Sequence, residues 1–257
     1  MDTYKIEYTN VRNFFVPEIL YKYREWDNSF HRKIIEDNTI YMSPPKDFED
    51  KMDCHVPERY PSKIELYNIF LNEAKEDLNF NRAKSREYAR DWCKKSPLAN
   101  PKILEKKIEK YNIDFNARFG VFSLTSDSNN EDMWNKYANN HTGICIGFDS
   151  KKLFDVVGGG GKVIYTDVLP TIDFIKDNFA EKHIKNIFFK ESKWSFEKEY
   201  RLHMFWEIAP TKEERNLPLL ENSIVEVILG SRIAMKNKTE IKSIVENKYP
   251  DVQIIEL

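Results

Sequence analysis

The chain has 257 residues, of which 41% are hydrophobic and 32% charged, a balance that supports a full apolar core and excludes wholesale disorder. Its formal net charge of −2, from 40 Lys and Arg against 42 Asp and Glu, argues against a protein that grips nucleic acid by neutralising phosphates. Cys54, Cys93 and Cys145 are far apart and form no CxxC pair, so reduced thiols are expected rather than a disulfide framework or zinc knuckle.

Residues 1–5 carry neither the basic nor the apolar region of a signal peptide, and no apolar run is long enough to span a bilayer. A cytoplasmic protein without a membrane partner is the expectation. Along the chain, alternation predicts a strand at 19–23, then a helix at 28–36 and a short strand at 39–43 closed by Pro44 and Pro45. Residues 61–112 turn Lys/Glu-rich with helical apolar spacing, which predicts two or three helices. They read as an insert (about residues 61–113) within one domain spanning 1–257. Strands follow at 119–124 and 143–148 around a helix at 131–139. The glycine run at 158–161 reads as a flexible turn before a strand at 163–165. A long helix is expected at 172–189, strands at 199–205 and 225–229, a helix at 238–247 and a closing strand at 252–255. Without strict βαβ alternation, the fold class is α+β, with a mixed, mainly antiparallel β core and a helical insert.

The glycine run is not a phosphate loop, because Val163 follows Lys162 where that motif needs Ser or Thr opening a helix. The five histidines lack HxH and HxxxH spacing, and Asp53-Cys54-His55 stands alone, so no metal site is expected. Two segments hold more chemistry. Trp134, Tyr137, Ala138 and His141 fall on one face of the helix at 131–139, where an aromatic stripe usually means core but the polar heads of Tyr137 and His141 point to a site. If a strand begins near Glu197, then Glu197, Glu199, Arg201 and His203 share one face, with Trp194 beside them. A charged row near the middle of a fold needs partners or a ligand. Chemistry is therefore expected where residues 119–149 meet residues 193–203.

Several blocks carry a family resemblance. They are Ile19-Leu20-Tyr21-Lys22-Tyr23-Arg24, Ile40 through Phe48 with its two prolines, Trp134-Asn135-Lys136-Tyr137-Ala138, His141 through Asp149, Lys190, Trp194 and Glu197 through Leu202. In that order they resemble the bacterial domain-of-unknown-function 2971 family, from about residue 19 to residue 230. One departure is Glu49-Asp50-Lys51, where the family usually has Asn-Asp-Pro. The blocks are distantly similar to the ADP-ribosyltransferase layout. That resemblance implies an ADP-ribosyltransferase-like fold that uses NAD as substrate, in an effector of phage defence or a toxin-like system. It implies that Tyr23 or Arg24 holds the ribose or phosphate and that Ser123, Trp134 and Tyr137 hold the nicotinamide side. Glu199 becomes the catalytic carboxylate, with Glu197 completing an E-x-E pair, and His141, Trp194 and Arg201 join the binding set. The rival readings are a nucleotide-sensing module without catalysis and a metal-dependent nuclease built on Glu197 and Glu199.

Overall fold

Alternation around buried Leu20 and Tyr23 produces strand β1 (Ile19–Arg24), and the Asn28 side chain accepts from the Phe30 amide to cap helix α1 (Ser29–Glu36). Strand β2 (Thr39–Tyr41) follows, and Pro44 and Pro45 divert the chain into a 3-10 turn at Pro45–Asp47. The computed structural model describes residues 15–157 and 159–257. The leader reading of residues 1–5 and the first glycine of the run at 158–161 lie outside them.

After β3 (Glu58–Arg59) comes the helical segment of α2 (Lys63–Glu76), α3 (Arg82–Lys95) and α4 (Pro101–Arg118). Ser62 and Glu65 exchange side chain–backbone bonds as a capping box, while Asn81 and Asn100 cap the next two helices. The sequence places the end of this segment near residue 113, whereas α4 runs on to Arg118 and enters β4 (Phe119–Thr125) directly. Leu66, Phe70 and Ala89 form a small core of their own, and Phe115 at the far end joins Phe119 and Val121 of β4.

The remaining elements are α5 (Glu131–Tyr137), β5 (Ile144–Asp149), α6 (Ser150–Val157), β6 (Gly160–Lys162), β7 (Ile164–Thr166), β8 (Ile172–Asp173), α7 (Phe179–Phe188), β9 (Phe189–Glu191), β10 (Glu199–Phe205), β11 (Asn216–Pro218), β12 (Ile224–Leu229), α8 (Met235–Lys248) and β13 (Gln253–Glu256). Seven strands form one sheet in the order β13-β12-β5-β1-β4-β10-β6, antiparallel except for the β12–β13 pair. The main core, with Leu20, Ile40, Phe122, Phe148, Leu202 and Ile241, packs α1, α6 and α8 against this sheet. The chain is thus mixed α and β with a largely antiparallel sheet, and no helix among the described residues is long and apolar enough to cross a membrane.

Two expectations are corrected. The long helix at 172–189 is only α7: the Asp173 carboxylate accepts from the Ile175 and Lys176 amides and makes a turn, so the helix starts later, under an Asn178–Glu181 capping box. Its far end leaves the helix because β9 pairs in parallel with β7. The glycine run is no free turn either, since Gly160 and Gly161 lie in β6 and pair with Leu202 and Arg201 of β10. A Cβ on Gly160 would stand 2.4 Å from the Arg201 carbonyl oxygen, closer than any ordinary contact. Gly160→Ala is therefore expected to cost about 1–3 kcal/mol, the usual penalty of overpacking. Urea unfolding checks it, and an unchanged midpoint would show that β6 can move away from β10.

Candidate functional site

The sheet is not evenly zipped. β1 pairs with β5 from Ile19↔Asp149 to Arg24↔Ile144, and β10 pairs with β4 from Glu199↔Thr125 to Phe205↔Phe119. Between β1 and β4 the only pair among the described residues is Tyr21↔Thr125. Beyond it the two strands part, and Val121 of β4 bridges to Ser43 instead. Strand edges that part leave backbone groups needing partners. Lys22 spans the gap and donates from its ammonium to the Ser123 carbonyl, while the Tyr23 hydroxyl donates to the Asp127 carbonyl at 2.9 Å.

A cavity of about 430 Å³ occupies this parting. Its walls come from β1 (Tyr21 to Arg24), the loop after β2 (Asp47 to Asp50, and Asp53), Ser123 of β4, Tyr137 of α5, Lys190 of β9, and Trp194, Glu197 and Glu199. Glu49, a position where the chain departs from the blocks it resembles, lines the cavity beside Asp50. Trp194 closes the rim: its indole N–H donates to Asp50 at 2.8 Å, and the Lys136 ammonium lies 3.9 Å from the centre of its ring.

One wall is a buried ion cluster. Lys190 donates to Glu197 at 2.5 Å and to Glu199 at 3.1 Å, and it lies 3.1 Å from the Asp53 carboxylate. Behind them Arg201, fully buried, donates from Nε and Nη2 to the two Glu199 oxygens at 2.8 and 3.0 Å and from Nη2 to Asp53 at 2.7 Å. Its Nη1 donates to the Ile187 carbonyl at 2.7 Å. Burial would raise the Glu199 pKa, but the Arg201 and Lys190 cations and a hydrogen bond from Ser123 outweigh it and hold the carboxylate ionised well below its usual range. Lys190 obeys the mirror rule. Burial would lower its pKa, and the Glu199, Asp53 and Glu197 carboxylates hold it up. The Tyr137 hydroxyl donates to Glu197 at 2.6 Å, and burial together with that carboxylate pushes its pKa far up, so it stays a donor.

The lining that β1 and α1 supply is cationic. Burial, with Arg24 next to it, pulls the Lys22 pKa well down. Burial lowers Arg24 to about 10, partly offset by Glu25. Burial, Arg24 and Lys22 together bring His31 down to about 4. The Nε of Arg24 and the Nδ1 of His31 are buried without a hydrogen-bond partner.

The two expected segments do meet: beyond the Tyr137–Glu197 bond, Asn130 donates to the Phe196 carbonyl at 2.6 Å, and Ser123 pairs with Arg201 across β4 and β10. Of the residues singled out in the sequence, Tyr23, Arg24, Ser123, Tyr137, Trp194, Glu197 and Glu199 line the cavity. Trp134, His141 and Arg201 do not. Trp134 is buried against Tyr23, 5.0 Å between ring centres, and its N–H donates to the Ser128 carbonyl. The helix carrying it stops at Tyr137, because Asn139, Asn140 and His141 take positive φ of 48°, 55° and 66° and fold the chain back. His141 therefore stacks on Trp134 at 5.3 Å instead of extending the stripe. The Glu197 geometry also differs from a strand face. β10 begins at Glu199, and Glu197 reaches the cavity from a 3-10 turn (Ser192–Glu197) that ends on left-handed Lys198, φ 44°.

Sequence reasoning missed Lys22, His31, Asp53 and the role of Lys190. Lys22 had a legible signal, since alternation puts it on the same face of β1 as buried Leu20. Asp53 had none, because its partner Arg201 lies 148 positions away. Comparison with curated proteins and with solved structures returns no match. Residues 133–202, the stretch that carries Tyr137, Lys190, Trp194, Glu197 and Glu199, match the family model described as Protein of unknown function (DUF2971).

Proposed function

We propose that the protein is an NAD-using, ADP-ribosyltransferase-like enzyme that acts as an effector in phage defence or a toxin-like system. The observation that carries this reading is the placing of two carboxylates, Glu197 and Glu199, in the lining of a cavity that also holds the aromatic Tyr137 and Trp194 and the cations Lys22 and Arg24. In such a transfer the bond from ribose C1′ to the nicotinamide nitrogen breaks, and nicotinamide leaves with the electron pair. The positive charge that develops at C1′ is stabilised by the fixed negative charge of Glu199. The acceptor nucleophile then bonds to C1′ and gives up its proton to Glu197, the second carboxylate in that lining. Tyr137 orients Glu197 through its 2.6 Å bond.

One feature favours a second reading, a module that binds a nucleotide without turning it over. Glu199 is already engaged by Arg201 and Lys190, which leaves it little freedom to follow a reacting sugar. A single experiment separates the two. Purified protein is incubated with NAD labelled in the adenylate half and with cell lysate, and both label transfer and nicotinamide release are followed. The enzyme reading expects turnover that falls at least a hundredfold in Glu197→Gln and Glu199→Gln, the scale of losing one electrostatic stabiliser. Tyr137→Phe keeps the charge balance and is expected to lose about tenfold, the worth of one hydrogen bond to a charged group. NAD binding without nicotinamide release by the wild type sinks the enzyme and leaves the binding module.

A further inference from the structure

We propose that Lys22, Arg24 and His31 form an oxyanion subsite at the β1–α1 end of the cavity, and that an oxyanion entering it is taken up together with a proton on His31. The two carboxylates have bonded partners, whereas on the cationic side two buried nitrogen atoms have none. Arg24 Nε can only donate a hydrogen bond, and it is buried with no acceptor. Leaving such a group unpaired is unfavourable, more so for a charged one, and the fold must sustain that cost in the free protein. His31 Nδ1, the other orphan, belongs to a residue lining the same cavity. Lys22 commits one N–H to the Ser123 carbonyl, and an ammonium has three. Three nitrogen-bearing side chains thus line one cavity, and two of them carry a buried nitrogen without a partner.

The ligand they fit is an oxyanion such as a phosphoryl, sulfate or carboxylate group. It supplies several acceptors at once and repays the burial of the two cations. The neutral state of His31 follows from its surroundings. The charged groups that face it are Arg24 and Lys22 of β1, with the Glu25 backbone nearby, and Asp47, Glu49 and Asp50 line the same cavity from the loop after β2. In the free protein the two cations and burial keep the ring unprotonated at neutral pH. An anion seated between them reverses the local sign, so His31 gains a proton as the anion binds. Linkage then requires affinity to rise as pH falls through the His31 pKa of the complex, by up to tenfold per pH unit for one proton. The oxyanion chemistry comes from these residues alone; only the identification of the natural ligand as a dinucleotide rests on the proposed function.

Sulfate is the probe, because its charge does not change across the window. Titration calorimetry of the intact protein with sodium sulfate, at about pH 8 and about pH 5.5 and in buffers of different ionisation enthalpy, is expected to show tighter binding at the lower pH with net proton uptake. His31→Asn should abolish the pH dependence, and Arg24→Met should weaken binding at least tenfold, with circular dichroism confirming that both variants fold. Absence of sulfate binding at both pH values overturns the subsite, as does pH-independent binding by the wild type or undiminished binding by folded Arg24→Met. NAD titrated in parallel keeps the two readings apart. Sulfate bound as described while NAD fails to bind sinks the proposed function and leaves the subsite, and NAD bound while sulfate is not does the reverse.

Discussion

Replacing Arg201 with methionine is expected to cost about 3–5 kcal/mol of folding stability, the penalty for removing one member of a buried ion cluster. The substitution keeps most of the apolar stem, so packing changes little. What it removes is five hydrogen bonds from the guanidinium: two to Glu199, and one each to Asp53, the Ile187 carbonyl and the Cys54 sulfur. Lys190 then remains as the cation in ion-pair contact with Asp53, Glu197 and Glu199 among the described residues. Buried carboxylates without a partner either pay the cost of desolvation or take up protons. Urea unfolding at neutral pH measures the loss, and a drop below about 1 kcal/mol would contradict the reading of a dry, tightly paired cluster. The double variant Arg201→Met with Glu199→Gln should lie closer to wild type than the two single losses summed, because it removes charge from both sides. This coupling also bears on the activity test, since Glu199→Gln unbalances Arg201 whatever its effect on turnover.

Acid should destabilise the protein well above the range where carboxylates titrate. His31 and His183 are each held down to about 4, in both cases chiefly by burial. Their folded pKa values thus lie below the unfolded value of about 6.5. At neutral pH both states are unprotonated and nothing is lost. As pH falls below about 6.5 the unfolded chain binds protons that the folded chain refuses, so stability drops until pH reaches about 4. Full burial would make each shift worth about 3 kcal/mol; solvent screening of both rings reduces the expected total to about 2–3 kcal/mol. Glu199 adds a second loss lower down, because its depressed pKa stabilises the fold only above the unfolded carboxylate range. His183 offers the sharper test. It sits among aromatic rings, 3.6 Å from the Phe179 centre and 4.3 Å from that of Phe119, so His183→Phe keeps a ring in place and removes the titration. The urea midpoint of the wild type should fall between pH 6.5 and 4, and the variant should lose part of that fall, the rest coming from His31 and from His203, which burial also holds down. A flat profile would show that the buried imidazoles accept protons without penalty.

What could be read from the residues alone follows a physical boundary. Local signals were sufficient for β1, α1, β4, β5, β10, β12 and α8, because alternation, helical spacing and caps act within a few residues. Local signals also located the meeting of residues 119–149 with residues 193–203 and named seven side chains that line the cavity. They failed where a contact elsewhere in the chain overrode them. Phe189 reads as the last residue of a helix but opens a strand because β7 lies beside it, and Gly160 reads as a turn but is a strand because only a residue without Cβ can approach the Arg201 carbonyl.

The amino-acid sequence by itself determined the α+β class, the helical segment and which titratable residues sit near one another along the chain. Tertiary structure alone decided how those residues divide. It unzipped β1 from β4 after Tyr21 to open the cavity, brought Asp53 across 148 positions to Arg201, and placed Trp134 and His141 in a stacked pair outside the cavity. The reason is range. Dihedral preference and side-chain periodicity act over a turn or two of chain, whereas the pairing of a buried charge is settled only when the fold fixes which distant group lies within about 3 Å of it.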